Sequence, residues 1–330
     1  MRDFWILVSF LLVALRRALT VAWIRLNKFI SSADWQIRSC SDFRHKVVLI
    51  GDGFVEGLGD WVVMGGMAGL TRQLQRDAET DDKVRMRWEI INRGRSGTTS
   101  ADWLPSDEKS LYQKKVHSRA CRDAEIFVVS LGTMDVLTEC VGMPVAAIRK
   151  TAQDEFSEEE TCQSVKNIRE ICETLRAEGK KVVVCNVMTS GAGINRRAGV
   201  AKRLNRQLSL YARNSEATAT ATAAATTPNG NQTEGASSAE PVRLVKLNNP
   251  RSCRDDGRAF DGLHLNAKGY RAFASDLYEV LGPMMIASEW RIWKRHLTGG
   301  AESGSNAGVA VAPVSRESVK AKSKASKKAD

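Results

Sequence analysis

No two cysteines form a C-x-x-C pair, and histidine occurs only four times in 330 residues. The seven cysteines, Cys40, Cys121, Cys140, Cys162, Cys172, Cys185 and Cys253, are an odd and scattered set. Several fall in stretches that read as buried helix or strand, which fits reduced core thiols and not a disulfide framework or a zinc cluster. So few imidazoles leave little from which to build a metal centre; no metal is expected, nor any organic cofactor. The chain also lacks a true dinucleotide fingerprint. In "GDGFVEG", residues 51–57, the third glycine of G-x-G-x-x-G arrives one residue late. Asp52, Glu56 and Asp60 crowd the same turn and repel a pyrophosphate that helix amides would otherwise attract.

A basic groove is missing as well, although the formal net charge is +11. The first thirty residues carry +4 of it (Arg2, Arg16, Arg17, Arg25 and Lys28 against Asp3), and the tail from Ser315 carries another +4. What lies between holds only +3. The positive charge belongs to the ends, so nucleic acid is not an expected partner.

No apolar run crosses a bilayer unbroken. "FWILVSFLLVAL", residues 4–15, stops at Arg16-Arg17, and twelve helical residues cover about 18 Å of a hydrocarbon core about 30 Å thick. On one continuous helix Ser9, Arg16, Thr20 and Asn27 share a stripe. That suits a helix lying in the interface, or a short signal-anchor whose arginines snorkel. No clear A-x-A cleavage site follows. Residues 4–26 are therefore expected to attach the chain to a membrane, and the basic flank favours a cytosolic main domain. The expected organisation is an anchor over 1–30, a linker over 31–44, one folded domain over 45–298 and a disordered basic tail over 299–330. Within the domain, residues 214–240, "NSEATATATAAATTPNGNQTEGASSAE", are too polar and simple to order themselves.

Between the ends, strand and helix signals alternate. Lys46–Ile50 is a β-branched run, with helical sequence from about Asp60 to Ala78. Strands are expected at Val84–Ile91, Glu125–Gly132, Lys181–Val187 and Val242–Leu247. Helical sequence runs from the second strand to about Asp123, over Ser157–Glu178, up to about Arg213, and from about Asn266. Ser157–Glu178 opens with a capping box, Ser157 and Glu160, and carries Val165, Ile168, Cys172 and Leu175 on one face before Gly179 ends it. Apolar strands without alternation, separated by helices, imply an α/β fold with a parallel sheet covered on both faces. Ligands of such sheets bind beyond the carboxyl ends of the strands.

Every unusual motif falls at such an end: "GDG" at 51–53, "NRGRSG" at 92–97, "GTMD" at 132–135 and "DGLH" at 261–264. In this order the four resemble the SGNH (GDSL-type) hydrolases over roughly residues 45–282. The resemblance implies a three-layer α/β/α sandwich with a parallel, five-stranded, flavodoxin-like sheet, acting on acyl esters such as lipids, acylated glycans or small esters. It implies Asp261 and His264 as the general-base pair and the Gly97 amide as an oxyanion donor. Asp52, Asn92 and Asp135 fall in matching positions and are candidates for lining the substrate pocket.

Two positions depart from the pattern. Gly53 stands where the resemblance calls for the nucleophilic serine, and Met134 where it calls for the oxyanion asparagine. Glycine has no side chain to acylate, and a thioether cannot donate a hydrogen bond. The sequence therefore leaves three hydrolase-like readings: an acyl-ester-binding protein without the chemistry; slow attack by a water that His264 activates in the space left at Gly53; and a competent hydrolase in which Ser96, Thr98, Ser100 or Thr133 replaces the serine. A membrane-tethered interaction scaffold is a fourth reading, of another class.

Overall fold

The computed structural model describes residues 2–31, 45–60, 67–138, 162–225, 240–247, 255–259 and 261–299. The chain divides into two compact units, Met1–Ala287 and Ser288–Asp330. The first holds the sheet and all the turns at its strand ends; the described part of the second is the last stretch of the final helix.

Strand β1 (His45–Gly51) has neighbours on both sides, and four consecutive residues, Val47 to Ile50, are wholly buried. The other strands are β2 (Trp88–Asn92), β3 (Ile126–Ser130), β4 (Lys181–Cys185) and β5 (Arg243–Val245). All pair in parallel, in the order β2-β1-β3-β4-β5. The missing alternation in the sequence has a direct cause. Val48, Ile50, Phe127, Val129, Val182 and Val184 point to one face, where Ile168, Ile171 and Leu175 of one helix (Gln163–Ala177) and Leu204 and Leu208 of another (Ala198–Ala225) cover them. Val47, Leu49, Ile126, Val128 and Val183 point to the other face. There they meet Leu70 and Leu74 of a helix over Gly69–Thr80, and Tyr270, Phe273 and Leu277 of the final helix, Ala267–Gly299. Each such aliphatic side chain contributes about 1.5–3 kcal/mol by leaving water, so the two faces together specify three layers.

Several boundaries differ from the sequence expectation. The second strand begins at Trp88 and not Val84, because its ladder with β1 starts at His45↔Trp88. Between β2 and β3 only Ala101–Trp103 and Leu111–Lys115 are helical, with Pro105 and a series of turns between them. The helix expected to stop near Arg213 runs to Ala225, so the start of the stretch read as disordered is ordered. Alanine favours helix strongly, and Ser215, buried, accepts the Val242 N–H at 3.0 Å and ties this helix to the start of β5. The rest of that stretch, 226–239, lies outside the described residues, as do Ser157 and Glu160, the linker over 32–44 and the tail from 300. Cys121, Cys162, Cys172 and Cys185 are buried and free, and burial pushes the Cys185 thiol up to about 12.

The N-terminal helix spans Arg2–Ser31. Its segment Phe4–Trp23, with mean hydropathy 1.9, is long and apolar enough to cross a membrane by length and composition. Phe4, Trp5, Phe10, Leu11, Leu12 and Leu19 are exposed, whereas Thr20 is buried and Val21 packs against Leu58 and Ala68.

In this strand order the chain reverses direction across the sheet between β1 and β3. The crevice beyond their carboxyl ends is where such sheets receive ligands.

Candidate functional site

The first turn is built by a capped helical turn, Gly53–Glu56, that starts directly behind β1. Asp52 is its N-cap: the carboxylate accepts the Phe54 N–H at 3.0 Å. This side chain is buried, and its second oxygen, Oδ2, makes no hydrogen bond. Burial raises the Asp52 carboxyl from the ordinary 3.8 to about 6, against the opposing pull of the Phe54 amide, the nearby Thr133 hydroxyl and the His264 charge.

Gly53 faces the imidazole of His264. A Cβ placed on Gly53 would stand 2.7 Å from His264 Nε2 and 3.3 Å from its Cδ2, with Leu58 Cδ1 at 3.1 Å on another side. The ring thus occupies much of the space a serine side chain would fill. The Gly53 Cα and Nε2 are separated by at most that 2.7 Å contact plus one carbon–carbon bond. A water hydrogen-bonded to Nε2 must therefore sit beside this contact and not between the two atoms.

Asp261 holds the ring from behind. His264 Nδ1 lies 2.5 Å from Asp261 Oδ2, while Oδ1 accepts the amides of Leu263 (3.0 Å) and His264 (2.9 Å). Burial pushes the Asp261 carboxyl upward, but the His264 ring and these amides outweigh it and bring it down to about 2. An ionised carboxylate only accepts, so Nδ1 carries a proton toward Asp261 and Nε2 is the ring atom that faces Gly53. The tilted Phe54 ring, 5.4 Å between centroids, flanks the imidazole. Arg258 braces the loop, donating to Leu263 O and Ser190 O at 2.8 Å each.

The second turn is laid across the first. Arg93 N donates to Leu49 O and Arg95 N to Gly51 O, both at 2.8 Å. A Cβ at Gly94 would meet the Glu56 amide at 2.5 Å, so only glycine permits this approach. Gly97 takes a left-handed φ of 80°, is exposed, and has nothing within 4 Å of the place where a Cβ would stand. Asn92, expected to line a pocket, instead braces the two turns: Nδ2 donates to Val55 O at 2.7 Å and Oδ1 accepts the Gly94 N–H. Asp135 is likewise occupied, accepting the Ser100 hydroxyl at 2.6 Å and the Ser100 amide. A motif at a strand end points to a pocket, yet in both cases the side chain is taken up by loop backbone.

The substitute hydroxyls fare similarly. Ser100 is fully buried between Asp135 and Asn167, and Thr98 donates to Arg95 O while accepting Trp103 Nε1–H. Thr133 is buried beside Asp52, at the start of a helix over Thr133–Thr138 that also carries Met134. Among the described residues no hydroxyl hydrogen-bonds His264 Nε2, and no three His, Cys, Asp or Glu side chains converge to hold a metal ion.

One participant does not stand out in the sequence. Glu56, which reads there only as a charge crowding the turn, is buried and accepts the Ser96 N–H at 2.7 Å. Its other oxygen receives Arg25 Nε from the N-terminal helix at 3.2 Å. Nothing in the local pattern announces a partner 31 positions away.

A family model described as GDSL-like Lipase/Acylhydrolase matches residues 49–272. The chain belongs to this family. The match takes in all four strand-end turns. Among solved structures, this acylhydrolase-family chain is similar to a member of the lipolytic G-D-S-L family from Veillonella parvula (14% identity, 72% of this chain and 97% of that one, TM-score 0.43). It is also similar to the lipase/acylhydrolase from Enterococcus faecalis (14%, 72% and 95%, 0.41) and to a variant of Axe2, an acetyl xylan esterase from Geobacillus stearothermophilus (12%, 71% and 93%, 0.44). No curated protein matches the chain in sequence.

Proposed function

We propose that this GDSL-family protein binds an acyl ester beyond the ends of β1 and β3, and hydrolyses it only slowly, through a water activated on His264 Nε2. The observation that carries this reading is the 2.7 Å approach of Nε2 to the side-chain position of Gly53: the base faces the nucleophile's seat, and the seat holds a glycine. Asp261 fixes the ring and its tautomer; the Gly97 amide, on its open turn, receives the ester carbonyl oxygen. Without a nucleophile, a hydrolase site of this kind retains about 10³–10⁴-fold acceleration over water from binding and oxyanion contacts. Met134 in place of an oxyanion donor lowers that by a further ~10²–10³-fold. Ligand retention is therefore the larger part of the function, and turnover the smaller.

Membrane attachment through residues 4–26 belongs to the same proposal. The helix from Phe4 to Leu19, with Phe4, Trp5, Phe10, Leu11, Leu12 and Leu19 exposed, covers about 24 Å before Thr20 and Val21 meet the domain. Insertion of that part brings the first turn down to the lipid surface, with Arg25 on the cytosolic side. A membrane-borne ester then reaches the site without leaving the interface.

The test is hydrolysis of p-nitrophenyl acetate and butyrate by the full chain in detergent, wild type beside His264→Ala. Slow turnover lost in His264→Ala, with no labelling by a fluorophosphonate, supports water attack. Labelling of the wild type would replace it with a side-chain nucleophile. Turnover unchanged in His264→Ala would end the reading.

A further inference from the structure

The N-terminal helix does more than tether. Its contacts fall on the first of the turns that make the site, Val21 against Leu58, whose Cδ1 is 3.1 Å from the Gly53 side-chain position, and Arg25 against Glu56, which reaches the second turn through Ser96. Glu56 is nearly inaccessible, at 2% side-chain exposure, while its partner Arg25 is at 40%. The carboxylate has two oxygens and two jobs. Oε1 takes the Arg25 guanidinium, and Oε2 takes the amide of Ser96, the residue immediately before Gly97. A carboxylate this buried is costly to keep ionised without a cation, and it accepts an amide most strongly when ionised.

From this chain of contacts we infer that Arg25 is a positioning residue: through Glu56 and the Ser96 amide it holds the turn that presents the Gly97 N–H. The N-terminal helix is then part of the site, and any shift of that helix against the domain is transmitted to the oxyanion side of the site. The meaning of the Gly97 amide rests on the function proposed above; the contact itself does not. Gly97 needs such a brace. Nothing packs at its own side-chain position, and the amide beside it, that of Ser96, is fixed by the Glu56 carboxylate. Deleting the helix to obtain a convenient soluble domain would, on this inference, loosen the site itself.

Residue-level amide hydrogen exchange on the full chain in dodecylmaltoside micelles tests this directly. In Arg25→Gln the buried Glu56 loses its cation, and the Ser96 amide is expected to exchange roughly 10–100-fold faster, the equivalent of one charge-assisted hydrogen bond. The amides of Ile90 and Val128, in the sheet, keep their wild-type protection. Arg25→Lys, which restores the charge, recovers most of the Ser96 protection; a purely steric role for the side chain would not discriminate charge in this way. Unchanged Ser96 exchange in Arg25→Gln overturns the inference, and so does uniform acceleration that includes the sheet. Absence of His264-dependent ester turnover would remove the hydrolytic part of the proposed function while leaving this exchange result standing, so the two failures are separable.

Discussion

Substituting Gly53 by alanine tests the geometry on which the functional reading rests. The added methyl carbon would stand 2.7 Å from His264 Nε2, and an unstrained contact needs about 3.5 Å, so the ring must retreat by roughly 0.8 Å. It is not free to do so. Nδ1 is held at 2.5 Å by Asp261 Oδ2, whose other oxygen is fixed by two amides, and Phe54 flanks the ring. Overpacking of this kind costs about 1–3 kcal/mol, and stretching a charge-assisted hydrogen bond forfeits part of a further ~1.5–3 kcal/mol. Against this, Gly53 has no positive φ and opens a helical turn, where alanine gains about 0.4–1 kcal/mol by restricting the unfolded chain. The net expectation is a loss of about 1–2 kcal/mol, or a fall in Tm of roughly 2–8 °C.

His264→Ala supplies the control. With the imidazole gone, the two tightest ring contacts are removed and the nearest named neighbour is Leu58 Cδ1, the end of a flexible side chain, at 3.1 Å, so Gly53→Ala becomes close to neutral or slightly stabilising. A double-mutant cycle by urea unfolding of the full chain should therefore return a coupling of about 1–3 kcal/mol. An equal cost of Gly53→Ala in both backgrounds would show that the ring does not occupy the side-chain position of residue 53. The same contact argues against an easy rescue by serine. Gly53→Ser carries the identical Cβ, so a functional serine–histidine pair forms only if the ring withdraws from where Asp261 holds it.

Asp52 supplies a pH-dependent prediction. Its folded-state value of about 6 lies above the ordinary 3.8, so the folded protein binds this proton more tightly than the unfolded chain. The penalty is absent below pH 3.8, grows between 3.8 and about 6, and is full above that. Asparagine caps a helix as well as aspartate. Asp52→Asn should then raise stability at about pH 7 by about 3 kcal/mol or less and by nothing at about pH 3.5 or below; urea titrations of both proteins at each pH check this, and a pH-independent difference contradicts it. Ser100→Ala removes the hydroxyl that joins Asp135 to Asn167 in a fully buried site. It should cost about 1–3 kcal/mol in thermal unfolding while leaving any His264-dependent turnover at its wild-type rate; abolished turnover in a folded variant would put Ser100 in the reaction.

The framework was readable from the sequence because it rests on local rules. Val47–Ile50, Ile126–Val129 and Val182–Val184 lack alternation because both faces are covered, and that pattern alone implies a parallel sheet between helices. The approach of Gly53 to His264 follows once the strand-end turns share one edge. What escaped was set by partners far along the chain. The start of β2 depends on where β1 begins to pair, the length of the Ala198–Ala225 helix on a serine meeting Val242, and the duties of Asn92 and Asp135 on backbone from other turns. Glu56 is the sharpest case, since a charge that reads as repelling a phosphate serves to join a helix and a loop.

Most of the site's groups have structural duties of their own. Asp261 has a scaffold role of its own, since Oδ1 closes the turn through the Leu263 and His264 amides; an aspartate there needs no chemistry to justify it. Asn92, Asp135, Ser100 and Glu56 are all likewise engaged in holding loops. His264 is different. Its Nδ1 is matched by Asp261, but Nε2 has no hydrogen-bond partner among the described residues, and the ring is nearly buried, at 5% exposure. On the function proposed above, Nε2 engages a ligand or a water, which is why His264→Ala, and not any change at Gly53, is the substitution that decides whether this site does chemistry.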